Sequence, residues 1–451
     1  MDAARRAGAQ GLRRLRDSRG LSWGDLAKEL RTHACRLRIA RIATAQLDSV
    51  RRAIARWEAG VSPPDERYQL LLAHVYARSP LGVVALGPGS DFEFLLETLA
   101  LFGIGRERLE DLRTTVAVSV TDTGTSLLAF LAPPLRNELA GALSRPDDLD
   151  LDVVDGLVAA TAAVDEQIGS VPFVRLHLAH AAVVDACRQL LLGEQADPVR
   201  TGLQVVAGRA FALAARLAFE TRDDVAALAL YEEAVAAVGG EAPSHRALIR
   251  SSQTMVVFYS TGDIGRARRI SAEAVQDARR GESVLMRARA HALQAEMAVR
   301  GHPSQRRHAQ AALHLAWHDL DADTTGDPME GAFSKGRLHG FEGICGIYIG
   351  EAAAAEQQLA KAAEALARSR EVVQRCIVLT DRAVAQLHTG EPGAPEAAAG
   401  QLHECVDITA ATRGRVPAQR LRQARMELSR WRTESFVAAL DDHIHERLIG
   451  V

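Results

Sequence analysis

A short pattern recurs along the second half of the chain at a nearly constant distance. Arg222-Asp223-Asp224, with Ala227, Leu230 and Ala234-Val235 after it, returns as Gly262-Asp263-Ile264 with Ala267, Ile270 and Ala274-Val275. Gly350-Glu351 with Ala355 and Ala362 gives it again, and Gly301 and Gly390 mark two further turns, so turns are expected at 222, 262, 301, 350 and 390. Self-similarity at such a period marks stacked units, none of which buries its apolar face alone. Each unit reads as a helix, a Gly-Asp-type turn and a second helix in which small Ala side chains let neighbours approach. Only 4% of residues are aromatic and the 15 prolines are thinly spread. Ala and Leu lose little entropy in helices, which disfavours an all-β chain. The expected fold class is all-α: an N-terminal helix-turn-helix domain followed by an α-helical repeat solenoid. Residues 417–448, with Leu421, Met426, Leu428, Trp431, Phe436 and Leu440, would close the last hairpin.

Charge divides the chain unevenly. Residues 1–80 hold 16 Lys+Arg against 8 Asp+Glu, whereas the whole chain is at −3. A small basic domain on an acidic body suggests a polyanionic partner, because neutralising phosphates releases counterions. Lys28, Lys335 and Lys361 are the only lysines, so the choice of Arg over Lys carries no message. The Pro- and Gly-rich stretch before Ser90 reads as a linker. The expected division is 1–80 for the basic domain, 81–90 for the linker, 91–170 for a helical connector and 171–451 for the repeats.

Within the basic domain, Leu12, Leu15 and Arg16 before Arg19-Gly20 predict a first helix and its stop. Ser22 then caps a second helix carrying Leu26, Ala27 and Leu30. Val50, Ile54 and Trp57 share one face of a third, expected to start at an Asp48 or Ser49 cap and to stop at Gly60. Arg51, Arg52, Ala55 and Arg56 would then project outward, in the manner of a helix placed in a major groove, where guanidinium groups read guanine edges. A fourth helix from Pro64 to Tyr76 offers Tyr68, Leu71, Leu72 and Val75 to the core. The segments Leu12–Arg16, Gly20-Leu21-Ser22, Leu26-Ala27 and Ile54–Gly60, with Pro64-Asp65, Tyr68 and Leu71-Leu72, resemble the repressor-type helix-turn-helix of the xenobiotic-response-element (XRE) family, in its actinobacterial form. That resemblance makes Ser49–Ala59 the recognition helix and Ser22, Trp23, Ser49, Arg51, Arg52, Ala55 and Arg56 the DNA contacts. Two departures stand out: Arg31–Leu47 replaces the short turn, and Trp23 occupies the place of a phosphate-contacting Gln.

The repeats, through Tyr231-Glu232-Glu233-Ala234 and Gly262-Asp263, resemble degenerate tetratricopeptide repeats, although the period is longer and the Trp and Pro positions are missing. Helical hairpins of another superfamily satisfy the same pattern. The combined resemblance implies a cytoplasmic, nucleoid-associated transcription regulator. It would bind double-stranded DNA as a homodimer and sense a peptide or small-molecule effector through its repeats. The expected effector surface is Arg209, Arg216, Phe219, Ser252, Val256, Tyr259 and His291, with Arg216 taking a carboxylate. A protein-docking scaffold is the rival reading.

No enzyme is expected: phosphate loop, nucleophile elbow and His-Glu-x-x-His motifs are absent from the sequence. The pairs His177/His180, His314/His318 and His443/His445 lack further ligands, so neither metal nor cofactor is expected. Gly340, Gly343, Gly346 and Gly350 read as a close-packing stripe. Cys35, Cys187, Cys345, Cys376 and Cys405 read as buried thiols. No apolar run reaches about 18 residues, and no membrane partner is expected.

Overall fold

The computed structural model describes residues 3–79, 82–121, 127–171, 173–301, 305–367, 371–412 and 414–449. These residues are all-helical, with 22 α-helices and two isolated bridges, Arg78 to Val84 and Ile168 to Val171. They form two compact units: residues 3–141 with 181–185, and residues 142–180 with 186–449. The first unit thus takes in the basic segment, the residues read as linker and part of the connector.

The first unit opens with α1 (Ala3–Ser18), α2 (Trp23–Arg36), α3 (Ala40–Ala43), α4 (Leu47–Glu58) and α5 (Glu66–Tyr76). It continues with α6 (Asp91–Leu101), α7 (Arg106–Thr121) and α8 (Pro133–Ser144). Gly20, at φ 63°, releases the chain from α1, and Ser22 and Asp25 form a reciprocal capping box that starts α2. Leu12, Leu15, Leu26, Leu30, Val50, Ile54, Trp57, Leu71 and Leu72 are all at most 5% exposed. Each buried aliphatic side chain contributes about 1.5–3 kcal/mol. At Gly11, α1 approaches α6 so closely that a Cβ would lie 2.6 Å from Thr98 Oγ1.

Several expected boundaries move. The segment Arg31–Leu47 is not one long loop: α2 runs on to Arg36, and α3 occupies much of the rest. Arg31 donates to the Ala43 carbonyl and ties α3 to α2. The cap of α4 is Gln46, with no side-chain bond, because Asp48 and Ser49 already lie within the first turn. Helix α5 begins at Glu66, where Asp65 accepts from the Arg67 and Tyr68 amides. Cys35 is exposed and the other four cysteines are buried; all are free thiols.

The second unit begins with α9 (Leu151–Glu166) and contains most of α10 (Phe173–Leu190). Five helical hairpins follow: α11 (Val199–Glu220) with α12 (Asp224–Val238), α13 (Pro243–Thr261) with α14 (Ile264–Arg280), α15 (Val284–Val299) with α16 (Arg306–Leu320), α17 (Lys335–Ile349) with α18 (Ala352–Ala365), and α19 (Val372–Thr389) with α20 (Ala394–Thr412). Every turn expected from the repeat falls between the two helices of a hairpin. Arg222, Gly262, Gly350 and Gly390 take positive φ there, which frees the chain to reverse. Asp223 and Asp263 then accept from the Ala226 and Arg266 amides and cap the second helix.

Helix α15 shows how a unit is buried on both sides. Met286, Ala290, Leu293 and Met297 pack toward α13 and α14. Leu285, Ala288, Ala292, Ala295 and Val299 pack toward α16 and α17. At Gly343 a Cβ would overlap the Leu359 side chain, and at Gly346 it would lie 3.0 Å from Ala355 Cβ, so the glycine stripe seats α17 on α18. Among the described helices, α11 alone is long and apolar enough to cross a membrane; 67% of its apolar window is buried within the protein.

The closing segment does more than cover the last hairpin. Helices α21 (Arg415–Glu427) and α22 (Ser435–Ile444) do cover the last hairpin, α21 lying on α19 and α22 on α20. Helix α21 also reaches the first hairpin, where Arg415 pairs with Asp224 and its amide donates to Glu220 Oε2 at 2.6 Å.

Candidate nucleic-acid interface and inner face of the repeats

On α4 the apolar and polar faces separate cleanly. Val50, Ile54 and Trp57 are buried, while Ser49, Arg51, Arg52 and Arg56 are exposed and Ala55 is half-buried. The chain leaves the helix through a Schellman turn, Val61 N donating to Arg56 O and Gly60 N to Trp57 O. Arg51 pairs with Asp48 at 2.9 Å, and Arg52 donates to Asp48 O and Ser49 Oγ. Those partners lie within one turn of the same helix. Arg56 has no ion pair among the described residues. The first amides of α4 carry no side-chain cap, and Asp48 in the first turn sits at the positive end of the helix dipole.

The two expected contacts from α2 are otherwise occupied. Ser22 Oγ accepts from the Asp25 amide and donates to Asp25 Oδ2 at 2.6 Å. That bond lowers the Asp25 pKa. Trp23 donates its indole N–H to Glu58 Oε2 at 3.0 Å, and the Arg16 guanidinium lies over its ring. Glu58, 2% exposed at its side chain, also takes both arms of Arg16 at 2.7 and 2.8 Å. Trp23 therefore fastens α2 to the end of α4, and its donor is spent inside the domain. Glu58 is the residue that sequence reasoning missed here. Its signal was available, since a carboxylate next to Trp57 on the inward face needs a cationic partner.

The expected effector residues do not form one surface. Arg209 is exposed on α11, and Val256 is 4% exposed within the core. Phe219 is 3% exposed and lies beneath the Arg415 guanidinium. The Tyr259 hydroxyl accepts from Arg420 Nε at 2.7 Å, so α21 already occupies it. His291 is 4% exposed, and burial lowers its pKa although Asp319 opposes it. Two residues rotate a helix by about 200°, so His291 lies away from the face that carries Arg289.

Around Tyr259, α21 completes a buried charge network. Arg420 binds Asp381 and lies 3.5 Å from Glu296, and Arg300 lies 2.7 Å from Glu296. Burial raises the Asp381 and Glu220 pKa values, although Arg420 and Arg216 respectively oppose it.

Arg216 and Ser252 belong to a second group. Ser252 faces the hydroxyl of buried Tyr231, which also feels Arg216 and Arg289. Arg216 lies 3.9 Å from Asp165, and Arg337 lies 3.8 Å from Glu371. Arg289 donates to the Ala332 carbonyl at 2.9 Å, and Arg337 approaches the same oxygen at 3.5 Å. Burial, with Arg337 and Arg216 adding like-charge repulsion, holds the Arg289 guanidinium at about 10.

Among the described residues no three His, Cys, Asp or Glu side chains stand where they could share a metal ion. His180 is buried and bonds the Ala210 carbonyl at 2.8 Å, while His314 and His318 are exposed. No protein-family model matches the chain, and neither does any curated protein or solved structure.

Proposed function

We propose that the chain is a transcription regulator of the XRE helix-turn-helix type, reading duplex DNA with α4 and sensing an effector through tetratricopeptide-like hairpins. The observation that carries this reading is the outer face of α4. Arg51, Arg52 and Arg56 stand there with same-helix partners or none, beside an uncapped helix N-terminus. Such arginines can exchange a weak local bond for a bidentate contact to guanine or a phosphate. One copy of α4 makes few base contacts, so a homodimer on paired half-sites in the cytoplasm completes the proposal. Ser22 and Trp23 are left out of the contact set because their polar atoms are engaged internally.

The test is selection of the full chain on random duplexes at two salt concentrations. It is repeated with Arg51→Ala/Arg52→Ala/Arg56→Ala and with Trp23→Phe. A two-fold symmetric motif is expected, lost in the triple variant at a cost of about 1–3 kcal/mol per arginine and kept in Trp23→Phe. Salt-sensitive binding without a motif, or a monomer in sedimentation with and without DNA, would overturn the reading in favour of a docking scaffold.

A further inference from the structure

The first helices of the hairpins, α11, α13, α15 and α17, pack successively against one another. The polar residues they bring together form two groups. In one, the guanidinium groups of Arg415 and Arg420 bond Asp224 and Asp381, Arg420 also lies 3.5 Å from Glu296, and the Arg415 amide donates to Glu220. In the other, Arg289 has no carboxylate partner among the described residues, and its hydrogen bond goes to a neutral carbonyl. Arg337 shares that carbonyl and has Glu371 3.8 Å away, and Arg216 has its carboxylate 3.9 Å away on Asp165, which is 63% exposed. Guanidinium groups gathered in this way repel one another, and a bound anion relieves that repulsion. Their planar forks match the paired oxygens of phosphate or carboxylate.

We propose that Arg216, Arg289 and Arg337 form a binding site for a small oxyanion carrying two negative charges, a phosphate-bearing compound or a dicarboxylate. As an effector pocket the site rests on the regulator reading, but the binding itself does not, because it is measured without DNA. The experiment is calorimetric titration of the full chain with inorganic phosphate and, separately, with succinate at fixed ionic strength. Binding at one site per chain is expected for one of the two anions, and which one binds identifies the ligand class. Arg289→Gln should weaken it about 10- to 100-fold, the equivalent of one lost charge-assisted contact. Arg209→Gln, on the same helix as Arg216 but exposed, should leave it within about two-fold. Arg216→Gln provides the same readout if circular dichroism shows that Arg289→Gln does not fold.

Titration by neither anion, or equal affinity in Arg289→Gln and Arg209→Gln, would overturn the site. Adding the anion that binds to the DNA selection then separates the two proposals. Binding that leaves DNA affinity unchanged upholds the site and removes its effector role. Binding by a chain that selects no DNA motif upholds the site and removes the regulator.

Discussion

In the first unit the arginines of α4 stand at the surface, and Arg51 and Arg52 bond within their own helix, whereas in the second unit Arg420 is 8% exposed and holds groups from three other helices. The residue type is the same, and the surroundings decide what it can do. An exposed pair contributes little and is easily exchanged for an outside partner. A buried pair is not free to exchange, since removing either member strands the other without solvent. The difference makes α21 part of the architecture and leaves the arginines of α4 exposed at the surface.

The largest effect should come from the buried side of this contrast. Asp381→Ala should cost about 3–5 kcal/mol in chemical denaturation, and adding Arg420→Met should recover much of it. Failure of the second change to rescue would mean that Arg420 matters through Tyr259 and Glu296 and not through Asp381.

Acidification acts on both units. Burial holds His33, His74 and His180 at about 4; His74, Arg36 and Arg78 press further on His33, and Arg78 on His74. Their folded values lie below the unfolded value near 6.5, so the unfolded chain binds more protons between the two. The stabilisation is complete above pH 6.5 and is lost as pH falls through 4, by about 3 kcal/mol per ring. Hydrogen exchange at pH 7.5 and 4.5 should show α2 and α5, which carry two of these rings, loosening together. Unchanged protection there would mean that the rings reach solvent.

A packing change should cost less. Gly343→Val forces α17 from α18 at Leu359 and should remove about 1–3 kcal/mol, read as a lower melting temperature. An unshifted melt would show that the hairpin can spread freely. Smallest of all, Arg51→Ala, Arg52→Ala and Arg56→Ala should each change stability by at most about 0.5 kcal/mol. A larger loss would break the contrast by making α4's arginines structural.

The hairpins were legible because their signals are local. Arg222-Asp223 and Gly262-Asp263 combine a left-handed turn residue with a helix cap, and both act within four residues. The apolar face of α4 was legible for the same reason, while its cap was misplaced because Asp48 and Ser49 are as suited to a first turn as to a cap. The arginine group on the first helices of the hairpins was not legible. Arg289, rather than His291, joins Arg216 there, and the choice depends on how α15 is rotated between its neighbours. Nor does any periodicity announce that α21 meets residues as far back as Phe219, since that contact is specific to two side chains and not to a pattern.

The bond from the Arg415 amide to Glu220 also has a meaning in time. A ribosome adding about 5–20 residues per second makes Glu220 some 10 to 40 seconds before Arg415 exists. Until then the first hairpin carries a carboxylate whose enclosing partner has not been synthesised. A message cut short anywhere between these two codons yields a chain with every earlier turn intact and one acid left without its donor. Chains truncated before Arg415 should therefore be cut faster in limited proteolysis at the first hairpin than the full chain.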